Sequence, residues 1–268
     1  MKVTINNKIC EVSNNIKADE IVKLYKNNAD VIIVNGFNVD GNEIINENDE
    51  IILIKKGEIP TDSEFECMLM ARHTPKIYEK LKNSSVAIAG LGGLGSNCAV
   101  TLSRMGVGKL KLIDYDVVEP SNLNRQYYFI SQIGMKKTIA LKNTIENINP
   151  YTKIECSDIY VTKDNIKENF TGYDVNLECF DKDTTKAMFV ENVIKFFPNS
   201  YLIAVSGIAG LYPHDIFTTK KLGKNCIILG DFINEAKKGV GLMASRAAIA
   251  ANIQANMAIR YLIGEENR

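Results

Sequence analysis

Residues 86–97 read Val86-Ala87-Ile88-Ala89-Gly90-Leu91-Gly92-Gly93-Leu94-Gly95-Ser96-Asn97. The apolar run predicts a buried strand, the glycines a tight turn, and SNCAVTLSRMG a helix directly after it. Glycine permits such a turn, lets a phosphate approach the backbone, and lets the helix pack close to the strand. The first N–H groups of that helix are free to meet an anion, and Ser96 and Asn97 stand where they can add hydrogen bonds. Gly90, Gly92, Gly93 and Gly95 are therefore candidate nucleotide-binding positions. Downstream, KLKLID predicts a second strand ending on Asp114, where a carboxylate can bind both hydroxyls of a ribose. This pattern leaves NAD and ATP both open.

Outward from this stretch, strands and helices alternate from Ser84 onward. KIECSDIYV, VNLECF and YLIAVSG read as strands. KKTIALKNTIENIN, TTKAMFVENVIKFF and ASRAAIAANIQANMAIRYLIG read as helices, the last with Gly264 as C-cap. Strands joined through helices need crossovers. The expectation for 84–268 is an α/β fold, a Rossmann-like mostly parallel sheet with helices on both faces. Residues 58–83 carry two prolines and mixed polarity and read as a connector with one or two short helices. Residues 1–57 read as a separate small unit. VTI and KICEV flank Asn6-Asn7 as a hairpin. ADEIVKLYKN follows as a helix with Ile21, Leu24 and Tyr25 at helical spacing. VIIVNG is a strand closed by Asn35-Gly36, and IILI is the last strand. A ubiquitin-like β-grasp unit would produce this order.

Composition narrows the function classes. The 268 residues are 46% apolar and 24% charged, the balance of a globular chain. Lys plus Arg and Asp plus Glu both number 32. A net charge of zero argues against a chain built to coat nucleic acid or an anionic membrane, and neither partner is expected. No apolar run reaches the ~18 residues of a membrane span, and MKVTINNKIC lacks a signal-peptide core. The six cysteines, at 10, 67, 98, 156, 179 and 226, contain no CxxC pair. With only His73 and His214 to add, no Cys/His metal cluster is expected, and reduced thiols in a cytoplasmic protein follow. Both histidines are expected to be solvated or structurally bonded.

The string Asp114-Tyr115-Asp116-Val117-Val118-Glu119-Pro120-Ser121-Asn122-Leu123-Asn124-Arg125-Gln126 follows the second strand, and Gly134-Met135-Lys136-Lys137 opens the next helix. Arg125 and Lys137 add positive charge close to the glycine loop. A dehydrogenase needs an apolar nicotinamide pocket and a proton relay, whereas an enzyme handling a triphosphate needs cations.

Through GLGGLGS, GVGKL, DYDVVEPSNLNRQ, GMKK, ENINP and the Ala-rich last helix, residues 84–268 resemble the ThiF/MoeB branch of the ubiquitin-activating enzyme superfamily. Residues 1–57 look like ThiS, the β-grasp sulfur carrier of that system, through VIIVNG and NENDEIILIKKG. The resemblance implies ATP and Mg²⁺ as cofactors and a ThiS-type carrier with a Gly-Gly C-terminus as partner. It implies adenylation of the carrier's terminal carboxylate with release of pyrophosphate, in thiamine thiazole biosynthesis, by a homodimer. It also implies roles for single residues. Asp114 matches the ribose-binding acid, with Asp116 beside it among the nucleotide contacts. Asn122, Arg125 and Lys137 match residues lining the phosphates. Asp181 matches the acid near Mg²⁺ and the α-phosphate, although the family's usual Asn after it is here Lys182. Arg72 matches an N-terminal arginine that reaches ATP, often from the other subunit. The structural zinc of many relatives is not expected.

The resemblance leaves other readings standing: a MoaD-like carrier or other peptide as substrate, a tRNA-linked carboxylate, a non-catalytic nucleotide-binding module, and an NAD-dependent oxidoreductase that explains only the glycine loop and Asp114. Cys179 and Cys226 receive no catalytic role. The front unit runs on through Lys55-Lys56-Gly57-Glu58 without a Gly-Gly end, so it is not itself expected to be adenylated.

Overall fold

A computed structural model describes residues 1–265, and at positions 62 and 75 the backbone alone. The expected second domain's last positions, 266–268, lie outside the described residues. The chain divides into two compact units, residues 1–79 and 80–268.

The first unit opens with β1 (Lys2–Ile5) and β2 (Lys8–Glu11), an antiparallel pair. Asn6 and Asn7 connect them at φ of 44° and 64°, the left-handed turn that asparagine tolerates. Helix α1 (Ala18–Tyr25) follows, then β3 (Val31–Val34), β4 (Phe37–Val39) and β5 (Glu50–Ile54). The sheet order is β2-β1-β5-β3-β4, with β1 and β5 parallel. Helix α1 seats Ala18 and Ile21 among Val3, Ile5, Ile51 and Leu53. Leu24 and Tyr25, expected at helical spacing with Ile21, point to solvent instead. Strand β4 was not expected, because FNV is too short to show alternation.

Residues 58–83 form α2 (Asp62–His73) and α3 (Pro75–Lys82). Thr61 caps α2, accepting from the Glu64 N–H while the Glu64 carboxylate accepts from the Thr61 N–H at 2.8 Å. Cys67 and Ala71 of α2 pack on Ile33, Ile52 and Ile54, the sheet face turned away from α1. Both faces of β5 are thus covered, which explains four apolar residues in a row.

The second unit holds β6 (Ser85–Ala89), α4 (Gly95–Arg104), β7 (Lys109–Ile113), α5 (Lys137–Glu146), β8 (Lys153–Ser157), α6 (Ile166–Phe170), β9 (Val175–Glu178), α7 (Asp183–Phe196), β10 (Tyr201–Val205), β11 (Thr218–Lys221), β12 (Cys226–Gly230) and α8 (Ala244–Leu262). The seven strands run β11-β12-β10-β9-β6-β7-β8, all parallel except the edge strand β11. Helices α4 and α5 pack together, with α8 packed on α4, and α6 and α7 form a second packed pair. This is the expected Rossmann-like sheet. Strands β11 and β12 were not expected. TTKK is fully polar on an exposed edge, and CIILG reads equally as a buried turn.

The apolar face of α8 presents Ala247, Ala250, Ala251, Ala255 and Ala258 to the core. Alanine lets the helices approach closely, and the Cys98 thiol of α4 reaches the Ala251 carbonyl at 3.2 Å. Strand β6 is central, with β7 on one side and β9 on the other. Strand order reverses there, so the crevice beyond the carboxyl ends of β6 and β9 is where such sheets bind ligands.

Candidate active site

A cavity of about 360 Å³ opens at that crevice, within the size range of small-molecule sites. Gly90, at φ +91°, turns the chain out of β6, and a Cβ there would lie 2.9 Å from the Cys179 carbonyl oxygen. A Cβ at Gly95 would lie 1.9 Å from the Gly90 carbonyl oxygen. Only glycine lets α4 start this close to the loop. Gly90, Gly92 and Gly93 line the cavity, while Gly95 sits behind them as the packing position.

Asp114 ends β7 and is buried. Its Oδ2 accepts from the Leu91 N–H at 2.6 Å and its Oδ1 from the Asp116 N–H at 2.9 Å. It therefore ties the glycine loop to the end of β7, and it lines the cavity. Ser96 and Asn97 behave differently from expectation. The Ser96 hydroxyl donates to the Gly92 carbonyl at 2.7 Å and accepts from the Tyr127 N–H at 2.9 Å. The Asn97 amide donates to the carbonyls of Gly93 and Arg125 at 2.8 and 3.2 Å. Both side chains pin the 125–127 segment to the loop instead of facing a ligand.

Arg125 lines the cavity beside Gly93. Its Nη1 donates to Asn124 Oδ1 at 2.9 Å and the Ser121 carbonyl at 3.4 Å. Both acceptors are neutral, so these contacts leave the guanidinium charge unbalanced. Lys137 starts α5 and is 5% exposed. Its ammonium donates to Asp116 Oδ2 at 3.0 Å, and both residues line the cavity. Asn122 departs from expectation: it does not line the cavity. Its Oδ1 accepts from the Glu119 N–H at 3.0 Å and closes the short 120–122 turn.

Asp181 stands on the cavity rim, exposed, with no hydrogen bond or ion pair among the described residues. Tyr115 and Tyr160 meet edge to face near it, ring centroids 5.0 Å apart. The carboxylates of Asp116, Asp181 and Asp114, together with burial, push the Tyr115 hydroxyl up from its ordinary range. The cavity lining thus carries the carboxylates of Asp114, Asp116 and Asp181 together with the cations of Arg125 and Lys137. Among the described residues no group of three or more His, Cys, Asp or Glu could hold a metal ion. A single unpartnered carboxylate is still what a Mg²⁺ shared with phosphate oxygens and waters requires, and Asp181 fits that role.

Arg72 lies on α2 in the first unit, where it lines a small cavity with Asp30, Asn38, Asp40 and Lys56. Three features escaped the sequence reading. Glu178, fully buried at the end of β9, accepts from Lys186 Nζ at 3.1 Å and from the N–H groups of Phe180 and Val205 at 2.7 and 3.3 Å. Burial pushes its carboxyl up, and the Lys186 ammonium opposes that shift. A glutamate inside the apolar strand VNLE was the available signal. Gln254 of α8 donates to the carbonyls of Glu178 and Ile203 at 3.1 and 2.8 Å, bracing β9 against β10. The third feature is the wall formed by Ser206–Ala209 and Asn234–Ala236, in segments without periodicity. Cys179 also lines the cavity. Burial raises its thiol well above the ordinary range, so it is not poised as a nucleophile at neutral pH.

Residues 67–268 match the model of the ThiF family, and residues 1–57 match that of ThiS-like ubiquitin. The chain is 44% identical over 95 residues to ubiquitin-like modifier-activating enzyme 5 of Dictyostelium discoideum, covering 35% of this chain and 25% of that protein. It is 44% identical over 108 residues to adenylyltransferase and sulfurtransferase MOCS3 of Drosophila yakuba, covering 40% of this chain and 24% of that one. The matches thus span about a quarter of these relatives' own length. Among solved structures, tRNA N6-threonylcarbamoyladenosine dehydratase of E. coli, in complex with ATP, superposes with a TM-score of 0.69 at 19% identity, over 78% of this chain and 98% of that one. The chain belongs to the ThiF family and carries a ThiS-like ubiquitin domain in front of its ThiF domain.

Proposed function

We propose that the second unit binds ATP and adenylates the C-terminal glycine carboxylate of a small ubiquitin-like carrier. The finer reading is that the carrier is a ThiS-type protein ending in Gly-Gly, in thiamine thiazole formation, and that the enzyme works as a homodimer with Arg72 as a further cation at the nucleotide. The observation that carries the proposal is one cavity, at the sheet's switch point, lined by the glycine loop, Asp114, Arg125, Lys137 and Asp181. The MOCS3 relative is itself named an adenylyltransferase.

The chemistry asks little of a nucleophile. A C-terminal carboxylate, with a reference pKa of about 3.5, is already ionised at neutral pH. Its oxygen bonds to the α-phosphorus, the bond to the bridging oxygen breaks, and pyrophosphate leaves with the electron pair. The barrier lies in bringing one anion to another, so positioning and charge neutralisation supply the rate. Arg125 offers an unneutralised guanidinium. Lys137 offers an ammonium that a phosphate oxygen draws from Asp116. Asp114 holds the loop and offers lone pairs to a ribose. Asp181 would hold Mg²⁺ with the phosphates, and the ion would balance charge near the reacting centre.

The test is ATP–pyrophosphate exchange with Mg²⁺, with and without a ThiS-type carrier ending in Gly-Gly. Exchange that depends on the carrier supports the whole reading. Exchange only with another carrier keeps the chemistry and changes the substrate. ATP binding without exchange for any carrier points to a binding module, and binding of NAD in place of ATP rejects the reading.

A further inference from the structure

Lys137 and Lys186 both line the cavity, yet they are bound differently. Lys137 donates to the Asp116 carboxylate alone. The Lys186 Nζ donates to both carboxylate oxygens of Glu178 at 3.1 Å and to the Val205 carbonyl at 2.9 Å. An ammonium has three N–H groups, and the three acceptors around Lys186 take them all. Lys186 is therefore a cavity cation with no donor left for a phosphate, and its role lies elsewhere.

What Lys186 and Glu178 hold is the turn that carries Asp181. Residues 179–182 join the end of β9 to the start of α7. At the near end, the Cys179 N–H donates to the Ala89 carbonyl at 2.9 Å, and the Phe180 N–H to Glu178 Oε1 at 2.7 Å. At the far end, the Lys186 N–H donates to the Lys182 carbonyl at 2.9 Å and closes the first turn of α7. The Lys186 ammonium reaches back to Glu178 and so ties the two ends together. Both side chains are also fixed to the end of β10, Lys186 through the Val205 carbonyl and Glu178 through the Val205 N–H. The Phe180 ring packs edge to face on Phe189 of α7, ring centroids 5.5 Å apart. Asp181 has no hydrogen bond or ion pair of its own among the described residues, so the place of its carboxylate follows from the turn.

We propose that Glu178 and Lys186 are positioning residues for Asp181: their ion pair holds the 179–182 turn so that the Asp181 carboxylate stays at the cavity rim, available to a Mg²⁺ shared with the phosphates. This rests on the reading of Asp181 as the magnesium carboxylate given above. Neither residue is assigned a contact to the nucleotide. Glu178 is fully buried and does not line the cavity, and the Lys186 donors are taken. Removing the groups that orient a metal ligand costs about 10- to 100-fold in metal affinity.

The test is calorimetric titration of the full chain with ATP, in Mg²⁺ and in EDTA, for wild type, Asp181→Asn and the double variant Glu178→Gln/Lys186→Met. The double variant removes both charges at once and leaves no buried ion unpaired. The readout is the gain in ATP affinity that Mg²⁺ confers. The expected gain is about tenfold or more in wild type and about threefold or less in both variants, with the metal-free affinity within about threefold of wild type throughout. A double variant that keeps the wild-type gain, where Asp181→Asn loses it, overturns the positioning role and leaves Asp181 in place. A double variant whose affinities with and without Mg²⁺ fall by one factor also overturns it, because that marks general damage to the cavity. An Asp181→Asn variant that keeps the full gain overturns the magnesium reading of Asp181 and the positioning role with it. If the double variant does not fold, Glu178→Gln alone, which keeps the shape and removes the charge, decides by the same gain.

Discussion

At the scale of single residues, Asp181 is the sharpest test of the chemistry. It is exposed and unpartnered among the described residues, so Asp181→Asn is expected to leave stability within about 0.5 kcal/mol. Turnover in the exchange assay is expected to fall by about a hundredfold or more, the scale of losing a charge contact to the transition state. Near-normal turnover in the folded variant removes Asp181 from the mechanism. Gly95 tests the other kind of role. Gly95→Ala forces a methyl into the Gly90 carbonyl and is expected to cost at least about 2 kcal/mol in a urea titration, with weaker ATP binding. Cysteine reactivity follows burial. The thiols of Cys67 and Cys226 are both pushed up to about 11 by burial. At pH 8 only about 0.1% of each is thiolate, so iodoacetamide should leave both unmodified in the native protein on the time scale that labels free cysteine.

At the scale of elements, the loops that wall the cavity depend on one carboxylate. Burial pushes Asp231 up, but bonds from Asn234 and Ile233 and the charge of Arg246 outweigh it and hold the carboxyl below its ordinary range. A depressed folded-state value stabilises the fold above the ordinary aspartate pKa, about 3.9, and that contribution is lost as pH falls through the folded value. Hydrogen exchange at 206–213 and 231–236 is therefore expected to accelerate, relative to intrinsic rates, below about pH 4 and before the central strands lose protection. Uniform protection loss across the sheet counts against this. The same elements mark the limit of pattern reading. Helix α8 was legible from its alanines, yet Arg246 and Gln254 fall on the same buried face, and no periodicity says what they bind.

At the scale of the whole molecule, the fused front domain is the unusual feature. Its last strand continues through Lys55 and Lys56 into α2, and α2 covers the sheet face that holds Ile33, Ile52 and Ile54. The domain is built into its own unit and has no Gly-Gly end to offer. We expect deletion of 1–57 to leave ATP affinity within about threefold in a calorimetric titration, since every residue proposed to meet the nucleotide except Arg72 lies in the second unit. Deletion of 1–79 also removes Arg72. A much weaker ATP affinity in the longer deletion alone supports Arg72 as a nucleotide contact, and equal affinities exclude it. Loss of binding in a well-folded 1–57 deletion contradicts a dispensable front domain.

The strand, glycine loop and helix at 85–104, the acid at the end of β7, and the alternation that makes a parallel sheet were all legible in the chain itself. They rest on local periodicity and on glycine's freedom, which neighbours in sequence determine. Tertiary structure alone decided which polar side chains face the cavity. Asn122, Ser96 and Asn97 sit in the expected segments, yet each finds a backbone partner nearby and none lines the cavity. The wall formed by Ser206–Ala209 and Asn234–Ala236 arises where loops 206–213 and 231–236 meet α8. Its pairing of Asp231 with Arg246 joins residues that carry no shared pattern, because burial by distant elements, and no local propensity, forces a charge to find its partner there.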